Sequence, residues 1–167
     1  AMDDPELDIR RSADEPLFGY GSFEVIDNLT LLYSHRYFHE NAASAAERAR
    51  VQERPFAIVL VRLADMERIN REDGFSAGDE ALQKVARAVQ RGAGDCGGTA
   101  CRVSGRTLGV VIPGADETST DQCVEEISSQ LGDSPSVRMS HAVGQPGEDA
   151  EKVIERARLE LGSEVTA

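Results

Sequence analysis

Residues 56–63 read Phe56-Ala57-Ile58-Val59-Leu60-Val61-Arg62-Leu63, an almost unbroken apolar run. A half-exposed strand would alternate apolar and polar residues, so this segment reads as a central strand covered on both faces, with β-branched Ile58, Val59 and Val61 in support. Its one charge, Arg62, stands out for that reason.

The flanking pattern is helical. Over residues 32–52, Leu32, Tyr33, Tyr37, Phe38, Ala42, Ala45, Ala46 and Ala49 recur at three- and four-residue steps, and Pro55 closes the segment. Residues 66–71 suggest a short helix and residues 74–78 a turn. A longer helix is expected next, with Ala81, Leu82, Val85, Ala86 and Val89 inward and Gly92 and Gly94 as its stop. Residues 100–103 and 107–112 read as a hairpin around Ser104-Gly105-Arg106. A helix over 120–131, a strand over 137–143 and a last helix over 149–161 complete the chain. Strands separated by helices, with one hairpin, predict an α/β (α+β) domain. The expected architecture is ferredoxin-like, a mixed central β-sheet flanked by helices.

Composition narrows the function. A chain of 167 residues is expected to form one core without disulfides. With 18 basic against 30 acidic residues, the formal charge of -12 repels phosphate backbones and anionic membranes, so neither nucleic-acid binding nor membrane contact is expected. No apolar run reaches the roughly twenty residues a membrane span needs. Three cysteines and no apolar leader fit a reducing, cytoplasmic setting. Cys96 and Cys101 supply at most two of the four ligands of a structural zinc, and Cys123 on a helix face reads as core. His35, His39 and His141 show no spacing that suggests a metal or a triad. Residues 1–22 read as a flexible acidic lead-in beginning with an expression scar, Ala1-Met2, and 23–167 as the domain.

Several segments, in order, resemble the GGDEF domain, the fold of diguanylate cyclases. Asp27-Asn28-Leu29-Thr30-Leu31-Leu32-Tyr33-Ser34-His35-Arg36-Tyr37-Phe38 is similar to the family's opening motif Asp-x-Leu-Thr-Gly-Leu-x-Asn-Arg-Arg-x-Phe, departing at Leu31, Ser34 and His35. Ile69, Asn70, Gly74, Gly78, Asp79 and Leu82 fall on Ile-Asn-(x)3-Gly-(x)3-Gly-Asp-(x)2-Leu. Ser140 and Ala157-Arg158 fall on a late strand serine and an Ala-Lys of the last helix. The match runs over about 24–162, and it implies a nucleotidyl-cyclase-like sheet.

In active members, the resemblance implies, acids on the first core strand and in the signature hairpin hold divalent metal against the triphosphate of GTP. Here those positions carry Arg62, Arg106 and Thr107; the second strand acid is Ala64, and a phosphate-binding lysine is Glu67. Arginine offers donors only and a permanent positive charge, so cation attraction has become repulsion. The family's product-binding Arg-x-x-Asp falls on Asp95-Cys96-Gly97-Gly98 and is absent. The expectation is a non-catalytic domain without cofactor or metal, acting as a regulatory or protein-interaction module in bacterial cyclic di-GMP-related signalling.

Its partner would be a protein of unidentified nature, basic or polar to suit the acidic surface, and pairing of two copies stays open. The alternative is a sensor that binds GTP or cyclic di-GMP in a vestigial pocket. Asn70 and Asp79 would read guanine in that pocket, and Arg62 and Arg106 would hold phosphate without metal. Against it stand plainer roles: Asn70 capping a turn, Asp79 a helix start, and Arg62 or Arg106 paired with an acid such as Glu67 or facing water.

Overall fold

A computed structural model describes residues 25–133 and 135–162, so the acidic lead-in lies outside the described residues. The order is α1 (His35–Gln52), β1 (Phe56–Leu63), α2 (Met66–Asp73), α3 (Phe75–Asp95), β2 (Thr99–Arg102), β3 (Thr107–Pro113), α4 (Glu117–Leu131), β4 (Val137–Gly144) and α5 (Ala150–Leu161).

The four strands lie in the order β2-β3-β1-β4, the ferredoxin-like arrangement. Every strand pairing is antiparallel, so the sheet is not mixed as expected. The reason is topological. The helical crossover from β1 to β2 skips over β3, and that from β3 to β4 skips over β1, so strands joined through helices never become neighbours.

β1 is buried along its whole length. On one face Ala57, Val59, Val61 and Leu63 join Leu82, Val85 and Val89 of α3 and Cys123 and Ile127 of α4. On the other, Phe56, Ile58 and Leu60 meet Phe38, Ala42 and Ala45 of α1 and Val153, Ile154 and Ala157 of α5. Each large aliphatic side chain buried this way contributes about 1.5–3 kcal/mol, and this two-sided packing fixes the sheet between two helical layers.

Helix ends follow local chemistry. α1 starts only after Ser34, whose hydroxyl accepts from the Tyr37 N–H, so residues 32–34 are not helical. Asp116 and Ser119 form a reciprocal capping box that starts α4 three residues ahead of the expected position. α3 begins at Phe75, so the expected turn at 74–78 is instead its first turn. Nor does α3 stop at Gly92 or Gly94. It ends where Gly97, at φ 75, turns the chain so that the Gly98 and Gly97 N–H groups donate to the carbonyls of Ala93 and Gly94. Gly92 serves packing instead: a Cβ there would lie 2.7 Å from Ile127 Cγ1 and 2.9 Å from its Cα.

Candidate functional site

The hairpin over 103–106 draws on its own backbone and on Arg102. Val103 and Ser104 both donate N–H bonds to the Thr107 carbonyl, at 2.8 and 3.1 Å. Arg102 on β2 donates through Nε to the Ser104 carbonyl (3.2 Å) and through Nη2 to that of Gly105 (2.9 Å). Gly105 has open space around the position of a side chain and no left-handed backbone. Arg102 therefore supports the turn, which makes no use of glycine's conformational freedom, and sequence reading missed that role. The available signal was a lone basic residue in the edge strand just before the tip.

The same guanidinium reaches Asp27 at 3.1 Å, tying the opening motif to the tip. Asp27 also accepts from the Thr30 N–H (2.9 Å) and hydroxyl (2.7 Å). Partial burial pushes its pKa up, but the Thr30 hydrogen bonds and the Arg102 charge outweigh that and hold the carboxyl below its ordinary value of 3.8. α3 clasps this segment from behind: Gln83 donates to the Leu29 carbonyl and Arg87 to that of Thr30, both at 3.1 Å. Just after them Leu31, 59% exposed, sits at φ 62, in the left-handed region.

Arg62 lies at the far end of β1, in register with Thr107 of the hairpin strand and Arg138 of β4. The Leu63 N–H donates to the Arg106 carbonyl at 2.9 Å, which draws the tip onto the strand end. Arg62 is fully buried, the largest side chain to be so. Its Nη1 donates to the Gly162 carbonyl (3.0 Å) and its Nη2 to the Leu161 carbonyl (3.1 Å). These carbonyls end α5 and carry the negative pole of its dipole, so the guanidinium both satisfies and neutralises them. Arg62 does not face water as one plainer expectation had it, because burial and these two carbonyls take up its guanidinium. Ser140, on the neighbouring strand, donates its hydroxyl to the Ala157 carbonyl at 2.7 Å, so the two late positions of the resemblance meet inside the fold.

Beside Arg62 opens a cavity of about 410 Å³, also lined by His35, Ser104, Thr107 and Arg158. No carboxylate lines it among the described residues. Magnesium requires hard oxygen donors, several of them charged, and this donor set of guanidinium, imidazole and hydroxyl does not fit it.

Of the four residues expected to bind nucleotide, Arg62 and the backbone of Arg106 come together here, whereas neither Asn70 nor Asp79 lines the cavity. The Asn70 carbonyl accepts from the Gly74 N–H and so closes α2, but its side chain does not cap. Its buried Oδ1 packs against Gly78, where a Cβ would collide with it. Asp79 is exposed one full turn into α3, not at its start as the capping expectation had it.

The histidines acquire acidic neighbours that lie far away in sequence. His35 and His39 face each other through Nε2 at 3.1 Å, and His39 Nδ1 meets Glu151 of α5 at 2.8 Å. Burial, then the charges of His39 and Arg158, lower the pKa of His35, which favours its neutral form. His141 of β4 meets Glu117 and Asp121 of α4.

The family model described as "Diguanylate cyclase, GGDEF domain" matches residues 24–162. Among solved structures, the chain is similar to the GGDEF domain of DgcB from Caulobacter crescentus in complex with c-di-GMP. That match has 22% identity and a TM-score of 0.75, and covers 82% of this chain and 85% of that one. It is similar to the FimX GGDEF domain from Pseudomonas aeruginosa at 15% identity and a TM-score of 0.75, covering 83% and 91%. A third is diguanylate cyclase SiaD in complex with its activator SiaC from Pseudomonas aeruginosa, at 20% identity and a TM-score of 0.73, covering 83% and 56%. At these identities the likeness is one of fold.

Proposed function

The chain belongs to the GGDEF domain family, and on that premise we propose that it is a non-catalytic member serving as a regulatory, protein-interaction module in cyclic di-GMP-related signalling. The observation that carries this reading is the burial of Arg62. Where the family resemblance expects a metal-holding acid, a guanidinium is spent on the carbonyl end of α5. Without metal, phosphoryl transfer loses the charge neutralisation on which its rate depends.

In this reading the surface carries the function, the domain spans 23–167, and it works in the cytoplasm. No helix among the described residues is long and apolar enough to cross a membrane. A charge of -12 selects a basic or polar protein partner and speeds its approach at low salt. A cyclase solved with a protein activator offers a precedent for such a contact. Pairing of two copies remains compatible with this role.

A second reading, a metal-independent sensor of GTP or cyclic di-GMP, draws on the acid-free cavity, where Arg158, His35 and the hydroxyls of Ser104 and Thr107 offer donors to an anion. Arg106 lies beside it, while Asn70 and Asp79, which this reading assigns to the base, lie outside its lining.

One experiment addresses both. The chain is incubated with GTP and Mg²⁺ or Mn²⁺ and the products are resolved by mass spectrometry, while thermal shift is followed with GTP, GDP and cyclic di-GMP. No cyclic di-GMP and no shift at millimolar ligand is the expected result. Turnover would overturn the non-catalytic reading, and a shift lost in Asn70→Ala would favour the sensor.

A further inference from the structure

We propose that Glu117, Asp121 and His141 form a surface site for one divalent transition-metal ion, for which Zn²⁺ is the probe. Glu117 and Asp121 are four apart in the first turns of α4 and so share one side of that helix. β4, an edge strand of the sheet, carries His141 up to them. His141 Nε2 lies 2.7 Å from Glu117 Oε2 and 3.5 Å from Asp121 Oδ1. One donor atom from each residue lies within 4.8 Å of the other two. Tetrahedral ligands about 2.0–2.2 Å from zinc stand about 3.3 Å apart, a spacing the observed distances bracket.

The chemistry is selective. One imidazole nitrogen with two carboxylate oxygens suits Zn²⁺, Co²⁺, Ni²⁺ or Mn²⁺, whereas Mg²⁺ prefers an all-oxygen shell. Three protein ligands leave a position for water. The frame is firm: the Asp116–Ser119 capping box sets the start of α4, and the His141 N–H donates to Glu160 Oε1 at 3.2 Å. The positive end of the α4 dipole lies close by, but it amounts to about half a charge and faces the carboxylates of Asp116, Glu117 and Asp121. His141 pairs in register with Val59, whose side chain packs on the α3 and α4 side, so this site is on the opposite face of the sheet from Arg62. A bound ion would fasten α4 to an edge strand and stiffen that edge.

The competing account is an ion pair between His141 and its two acids. Titration calorimetry of the chelator-treated chain with ZnCl₂ separates the two. The expected result is one Zn²⁺ per chain. Loss of an outer-shell partner already costs about 10–100-fold in metal affinity, so Glu117→Gln and His141→Ala each lower it at least about tenfold. His39→Ala leaves it unchanged. Glu117 is 66% exposed, so its substitution does not put folding at risk. In Co²⁺ the site gives a visible absorption band that disappears in His141→Ala. Absence of binding at millimolar Zn²⁺, or unchanged affinity in both variants, overturns the proposal.

Discussion

Arg62 Nη1 stands 3.0 Å from the Gly162 carbonyl, so a residue of the central strand closes a helix 100 positions later in the chain. Hydrogen bonds from a charged donor contribute about 1.5–3 kcal/mol each, and truncation would leave carbonyls buried without them. Arg62→Met is expected to lower stability by about 3 kcal/mol, read as an earlier midpoint in urea, with Arg62→Lys recovering part of the loss. A variant as stable as the parent would show that the contact contributes nothing.

Leu31 has the conformation that costs an L-residue about 1–2 kcal/mol, and its side chain is largely in solvent. Leu31→Gly removes that strain at an entropic cost of about 0.5–1 kcal/mol. A net gain of up to about 1 kcal/mol is expected in thermal unfolding, and a loss would mean that Leu31 packs productively.

Two glycines of α3 should respond in opposite directions to the same change. Gly94→Ala meets nothing within 4 Å and should gain about 0.5–1 kcal/mol from helix propensity. Gly92→Ala drives a methyl into Ile127, backbone included, and should cost about 1–3 kcal/mol. Equal effects in denaturant titrations would contradict the close α3–α4 approach.

Asp27 gives a pH dependence. Its folded pKa is depressed, so its stabilisation is present above the unfolded value and is lost as pH falls through the folded one. Unfolding free energies measured from about pH 6 down to about pH 3 should fall more steeply in the parent than in Asp27→Asn. Parallel profiles would remove Asp27 as the source.

Burial pushes the Cys101 thiol up to about 12 and raises that of Cys123 as well, whereas Cys96 is only half-buried. Thiolate is the nucleophile, so brief iodoacetamide treatment of the native chain should modify Cys96 alone, and all three cysteines once guanidinium is added. Native labelling of Cys101, checked by peptide mass, would show that the sheet opens there.

How much of this was legible follows from how local each signal is. β1 was readable to the residue because a run of apolar side chains states its own burial. The starts of α1 and α4 were missed because a serine or aspartate becomes a cap only once its hydrogen bond is made. Gly92 looked like a stop because its reason, Ile127, lies on another helix. At the site, the lack of carboxylates at positions 62, 106 and 107 was plain from the sequence, since charge is a property of each residue alone. The destination of the Arg62 guanidinium was not, because its acceptors belong to a helix end that folding brings from the far end of the chain.

The Arg62 contact also makes position 62 intolerant of an acid. Placing an acid at position 62 would set a buried negative charge against the negative pole of α5 and strip its terminal carbonyls of their donor. Such a substitution would cost folding stability, and the facing hairpin positions Arg106 and Thr107 would add no acid beside it. The buried guanidinium thus works as a clamp between the first strand and the last helix, and any side chain at position 62 is judged by the helix end it must hold as well as by the space it fills.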